Sequence, residues 1–178
     1  NLACGHCRRI EIDAQDDGEL TTEEVREFLQ SAASLGRPLL IFSGGEPLMR
    51  DDWETLAQHA GSLGLPTALA TNATLVDGAL ARRVAAAGFR RVSVSVDGAD
   101  AETHDSFRGL QGAFARAVEG AEHLRVAGVP VQINVTVARH NVAQLDAMYD
   151  LTQSVGAVAL HVFLLVPVGC GAELGPQH

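Results

Sequence analysis

The chain has 178 residues, 47% apolar and 20% charged, enough for one domain with its own hydrophobic core. Its net charge of −9 excludes a surface made for nucleic acid, which needs clustered Lys and Arg; the Arg-Arg pairs at 8–9, 82–83 and 90–91 each stand isolated. The longest apolar run, AVALHVFLLVPV, is too short to span a bilayer, no secretory signal is visible, and three cysteines are an odd number for a disulfide framework, so the expectation is a cytoplasmic protein with no membrane partner.

The chain opens with Cys4-Gly-His-Cys7, a spacing that three chemistries use. A redox dithiol should follow a strand and open a long helix, whereas RRIEIDAQDDGE makes a poor one. Zinc needs further ligands; His6 is close, but no second Cys-x2-Cys or His pair follows. An iron–sulfur cluster held by thiolates is the third. This stretch alone leaves all three open.

Behind it, one unit recurs five times: an amphipathic helix, a glycine, then a β-rich run. Thr21 and Glu24 form a capping box ahead of Val25, Phe28, Leu29 and Ala32. Asp51 and Glu54 repeat the scheme ahead of Leu56, Ala57, Ala60 and Leu63, and further helices fit about 76–87, 111–127 and 142–155. Gly36, Gly64, Gly88, Gly128 and Gly156 suit helix C-termini. The runs that follow are PLLIF, PTALAT, RVSVSV, VQINVTV and AVALHVFLL.

Such alternation means βα units around a parallel sheet. Val92, Val94 and Val96 share one face of their strand, and Ser93, Ser95 and Asp97 the other; Asn134 and Thr136 likewise oppose Ile133, Val135 and Val137. A strand covered by helices on both sides should be apolar on both. One apolar and one small, polar face fit a curled sheet with helices outside and a hydrated or ligand-filled interior.

Reactive groups in parallel βα folds gather past the C-terminal strand ends. There the chain has Ser43-Gly-Gly-Glu-Pro47, Thr71-Asn72, Ser95 with Asp97, Asn134 with Arg139 and His140 beyond, and Cys170. Gly44 and Gly45 can bring bare backbone to a ligand, Glu46 offers a carboxylate to a cation such as an amino group, and Pro47 holds the turn. A plain strand-to-helix turn with an exposed acid would read the same way.

Taken together, FSGGEPLMR, TNATL, RVSVSVDGADAETHDSFRG and INVTVARHN resemble the radical S-adenosylmethionine enzymes, over essentially the whole chain. With a cysteine immediately before Asn1, the opening would read as that family's Cys-x3-Cys-x2-Cys. The resemblance implies an α/β fold, a partial (βα)6 TIM-like barrel whose first strand precedes Asn1. It implies one core domain over residues 1–178, a fragment that begins inside the cluster-binding loop and stops before any C-terminal extension.

The resemblance implies Cys4 and Cys7 as ligands of a 4Fe–4S cluster whose remaining iron takes the amino and carboxylate groups of S-adenosylmethionine. Gly44, Gly45 and Glu46 should meet the methionyl ammonium, next to Pro47, with Thr71 and Asn72 beside the site. Ser95 should contact the cofactor's polar end, with Asp97 in the same cofactor-binding set. Arg108 should partner its carboxylate, since a fork of donors suits that geometry. Asn134 and Val135 should flank ribose and adenine, and His6 should lie near adenine. Cys170 stands where similar proteins tend to have a basic residue; it is expected on the rim, as a chance buried thiol or an extra ligand.

GELTTEE, SVDGADAETHDSFRG and VPVGCG resemble the tetrapyrrole-modifying branch, with the didecarboxysiroheme deacetylase of alternative haem biosynthesis and its haem d1 relatives. That implies a small-molecule tetrapyrrole substrate, a deoxyadenosyl radical that abstracts hydrogen from it, and a reductant such as flavodoxin or ferredoxin. The alternatives are a peptide-modifying maturase, which would carry a cysteine-rich extension, and a barrel without a cluster that binds but does not catalyse.

Overall fold

The computed structural model of the chain describes residues 1–7 and 18–174. The Arg8–Arg9 pair lies outside the described residues.

The recurring unit folds as its periodicity requires. In chain order the elements are α1 (Thr22–Leu35), β1 (Leu40–Phe42), α2 (Trp53–Ser62), β2 (Thr67–Thr71), α3 (Gly78–Ala86), β3 (Arg91–Ser95), α4 (Ala101–Arg108), α5 (Ala113–Val126), β4 (Val131–Val137), α6 (Leu145–Ser154) and β5 (Ala159–Leu164). All neighbouring strands are parallel, in the order β1-β2-β3-β4-β5. Spatial order follows chain order with no reversal, so this is a barrel segment rather than a doubly wound sheet. β1 and β5 do not pair, and the barrel is open.

Alternation sorts the two faces. Val92 and Val94 are completely buried, and with Val96, Ile133, Val135 and Leu124 of α5 they form the core between sheet and helices. Burying each such side chain contributes about 1.5–3 kcal/mol. Ser93, Ser95, Asn134 and Thr136 turn to the concave side. There Gln132 Nε2 donates to Ser93 Oγ at 3.2 Å and to Asn134 Oδ1 at 2.7 Å, so the interior stays polar without orphaning these groups.

The Thr21–Glu24 capping box forms in both directions, although Phe28 points to solvent and Leu29 alone of α1 is buried. The Asp51–Glu54 box does not form. α2 begins at Trp53 after Asp52, which makes no side-chain cap, because its carboxylate is held by Arg50 and by Thr22 Oγ1. Gly64, Gly88, Gly128 and Gly156 take left-handed conformations after their helices, whereas Gly36 has φ +147° and ψ −150°.

α4 is the element that hydrophobic periodicity does not reveal. Its buried residues are His104, Asp105 and Phe107, two of them polar. Its local signals are Asp100, whose side chain accepts from Thr103 N, and Gly109, a left-handed stop. Asp105 in turn caps α5, accepting from Gly112 N at 2.6 Å and Phe114 N at 2.8 Å, where Gly112 has no side chain to offer. No helix among the described residues is long and apolar enough to cross a membrane.

Candidate active site

A cavity of about 450 Å³ opens at the C-terminal strand ends. The cysteine loop supplies Cys4, His6 and Cys7; the turn after β1 supplies Gly44 and Gly45; β2 and its turn supply Thr71 and Asn72; β3 supplies Ser95, β4 Asn134 and α4 Arg108.

The cysteine loop rests on the C-terminal end of α4. Gly5 N donates to Phe107 O at 3.2 Å. The His6 ring stacks on Phe107 with centroids 4.1 Å apart and planes 4° from parallel, and His140 packs on Phe107 at 4.2 Å. A guanidinium nitrogen of Arg108, Nη1, lies 3.9 Å from Cys4 Sγ. Gly109 has φ +68°, and a β-carbon there would stand 2.6 Å from Ala3 O. A second tether runs to the turn after β2, where Asn72 Nδ2 donates to Asn1 Oδ1 at 2.8 Å.

The turn after β1 is braced from within. Glu46 is buried, and its carboxylate accepts from Leu48 N at 3.2 Å, Thr71 Oγ1 at 2.8 Å and Asn72 N at 2.9 Å. Burial pushes its carboxyl up from the usual range, and these donors oppose that rise. Pro47 starts a 3₁₀ turn over Pro47–Met49. Glu46 therefore binds β1's turn to β2's, while Gly44 and Gly45 present backbone to the cavity. The expectation that the Glu46 carboxylate meets a ligand ammonium must be weighed against these three protein donors.

Charges near the thiols are matched. Asp97 is completely buried, and its Oδ2 lies 2.6 Å from Arg108 Nη2. Burial pushes the Cys4 thiol up, and the Arg108 guanidinium, by charge and by hydrogen bond, pulls it part of the way back. His6 is pushed down to about 4, chiefly by burial, so its ring is neutral near pH 7. Its Nε2 lies 3.8 Å from Asp97 Oδ2, too far for a hydrogen bond, and a neutral imidazole makes no ion pair there.

Ten of the fourteen residues singled out from sequence line this cavity. The other four are Glu46, Pro47, Asp97 and Val135. Val135 neighbours Asn134 in a strand, so its side chain points the opposite way, into the helix-side core. Only its backbone is left for a ligand. Sequence reasoning missed Phe107 and Gly109, the pedestal under the cysteine loop. The Asp100 cap and Gly109 stop around α4 were the signals that could have found them.

Cys4, Cys7 and Cys170 make no disulfide. Cys170 does come to the cysteine loop, donating its N–H to Cys7 O at 2.8 Å. Among the described residues, no three His, Cys, Asp or Glu side chains are grouped to hold a metal ion.

The Radical SAM superfamily model matches residues 1–152. An AdoMet-dependent heme synthase of Methanosarcina barkeri is 49% identical over 173 residues, which are 97% of this chain and 50% of that protein. A pre-heme d1 synthase of Dinoroseobacter shibae is 40% identical over 171 residues, 96% of this chain and 42% of that one. The chain thus spans about half the length of these curated relatives. In the solved structures, SuiB of Streptococcus suis bound to S-adenosylmethionine shares the fold with a TM-score of 0.85 at 18% identity, over 100% of this chain and 41% of SuiB. The family match runs from the cysteine loop into α6 and takes in nearly every residue on which the cavity draws, and the chain belongs to the radical SAM superfamily.

Proposed function

We propose that this chain is the core of an enzyme that uses an iron–sulfur cluster and S-adenosylmethionine to take hydrogen from a tetrapyrrole in haem synthesis. The observation that carries the reading is that Cys4 and Cys7 open into the same cavity as Gly44, Gly45, Ser95 and Asn134. The residues fit both groups: two thiols on one loop with a guanidinium beside one of them, and a polar strand-end cavity next to them. When bound, the cluster and S-adenosylmethionine supply one-electron cleavage of the sulfonium and a 5′-deoxyadenosyl radical.

The chain's own residues bind, orient and shield. Cys4 and Cys7 hold the cluster. Gly44 and Gly45 offer backbone to the methionyl ammonium, and Arg108 and Ser95 offer donors to its carboxylate. Thr71 and Asn72 close the side toward β2. Asn134 faces the nucleoside, and its Oδ1 is taken by Gln132, which leaves the amide nitrogen to donate. His6, neutral and stacked on Phe107, lies beside adenine and helps to exclude water. The electron comes from a flavodoxin or ferredoxin. The tetrapyrrole assignment draws on the two haem-pathway relatives.

The test uses full-length protein reconstituted anaerobically with iron and sulfide. The expected result is a brown protein that releases 5′-deoxyadenosine and methionine, and loses both colour and turnover in Cys4→Ala and Cys7→Ala. Colourless protein that leaves S-adenosylmethionine intact rules the enzyme out. Deuterium transfer to 5′-deoxyadenosine from labelled didecarboxysiroheme supports the substrate; transfer only from a peptide replaces it.

A further inference from the structure

Asp97 does not line the cavity, yet it is completely buried and held from several sides. Its Oδ1 accepts from Thr136 N on β4 at 2.7 Å, and its Oδ2 faces Arg108 Nη2. Its own N–H donates to His104 Nδ1 at 3.0 Å, and its carbonyl accepts from Asn141 Nδ2 at 2.9 Å. The carboxylate is thus fixed to β4 and to α4, and the backbone carbonyl to the turn beyond β4. The guanidinium it holds is the one whose Nη1 faces Cys4 Sγ.

We propose that Asp97 is a positioning residue: it clamps Arg108 against Cys4 and offsets its charge, and the pair together sets the reduction potential of the cluster. This rests on the reading of Cys4 and Cys7 as cluster ligands. A cluster that takes up an electron gains negative charge. A buried cation beside a ligand sulfur favours that form, and a buried anion behind the cation disfavours it. Salt screens the pair only weakly, because Asp97 is completely buried and Arg108 largely so. The planar guanidinium serves two partners at once, one nitrogen on Asp97 and the other on the sulfur.

The pair makes a prediction that loosened packing cannot imitate. Removing the anion and removing the cation should move the potential in opposite directions. The experiment is an EPR-monitored redox titration of full-length reconstituted protein, without S-adenosylmethionine or substrate. Asp97→Asn should raise the reduced-to-oxidised ratio at a fixed potential about tenfold, a positive shift of about 59 mV for a one-electron couple. Arg108→Gln should lower it by a similar factor, and Arg108→Lys, which keeps the charge, should stay nearer wild type.

Unshifted potentials in both neutralised variants, or shifts in the same direction, overturn the proposal. If circular dichroism shows that Asp97→Asn does not fold, the Arg108 variants decide: equal potentials for Gln and Lys overturn it, and a lower one for Gln alone upholds it. Wild-type protein that takes up no cluster overturns this proposal and the enzyme reading together. A cluster indifferent to both charges overturns this proposal alone.

Discussion

Gly109 and Ala3 meet so closely that a β-carbon on Gly109 would stand 2.6 Å from the Ala3 carbonyl oxygen. The contact is backbone against backbone, so no rotamer change relieves it. It joins the end of α4 to the loop that carries Cys4, and Gly109's left-handed φ of +68° is itself costly for any residue with a side chain.

Gly109→Ala should therefore destabilise the protein by about 1–3 kcal/mol in urea denaturation. In reconstituted full-length protein it should also lower the iron and sulfide bound per chain, as the loop lifts from α4. Unchanged iron content would show that the contact does not support the cysteines.

Glu46 gathers three donors, from Leu48, Thr71 and Asn72. In Glu46→Gln an amide group must face at least one of them. A buried N–H or O–H left without an acceptor costs about 1–3 kcal/mol. The denaturation midpoint should fall accordingly, and an unchanged midpoint would mean that the carboxylate's role is not structural.

Asn134 and Val135 are neighbours on opposite faces, one at the cavity and one in the core. Asn134→Ala should weaken S-adenosylmethionine binding about five- to tenfold, the worth of one hydrogen bond of about 1 kcal/mol. Val135→Ala should leave that affinity in place and cost about 1–3 kcal/mol of stability. Equilibrium dialysis and denaturation on both variants separate the two effects, and the reverse pattern would mean that the strand's faces are misassigned.

His104 is buried, and its pKa is depressed from 6.5 to about 4, first by burial and then by Arg108, with Asp97 and Asp105 opposing and His6 adding to the fall. Above pH 6.5 folded and unfolded chains both carry a neutral ring, and no stability is lost there. As pH falls from 6.5 toward 4, the unfolded chain takes up a proton that native His104 refuses, and stability declines. His6 is depressed over the same window, so His104→Gln should make the fall of the denaturation midpoint shallower without abolishing it. An equally steep profile in the variant would assign the loss to other groups.

What could be read in advance was local. The alternation of Val92, Val94 and Val96 with Ser93 and Ser95 announces one apolar and one polar face, and β3 folds that way. The Thr21–Glu24 box involves residues three apart, and it forms. The Asp51–Glu54 box is equally local in appearance and does not form: the cap position falls one residue later, at Asp52, whose carboxylate Thr22 and Arg50 hold. α4 escaped because its buried face is His104, Asp105 and Phe107, which carries no hydrophobic period. For the cavity, strand-end position alone located Gly44, Gly45, Thr71, Asn72, Ser95 and Asn134, but it could not say that Glu46 turns inward to brace its own turn.

The sequence by itself determined the succession of βα units, the sheet's two faces and the edge at which polar residues would collect. Side-chain alternation and helix stops act between near neighbours, so they need no knowledge of the rest of the chain. Only the tertiary structure decided that Asp97 belongs to Arg108, that Arg108 turns to Cys4, and that Phe107 lies beneath His6. A buried charge or ring must find its partner among whatever the fold brings within a few ångströms, and distance along the chain says nothing about which group that will be.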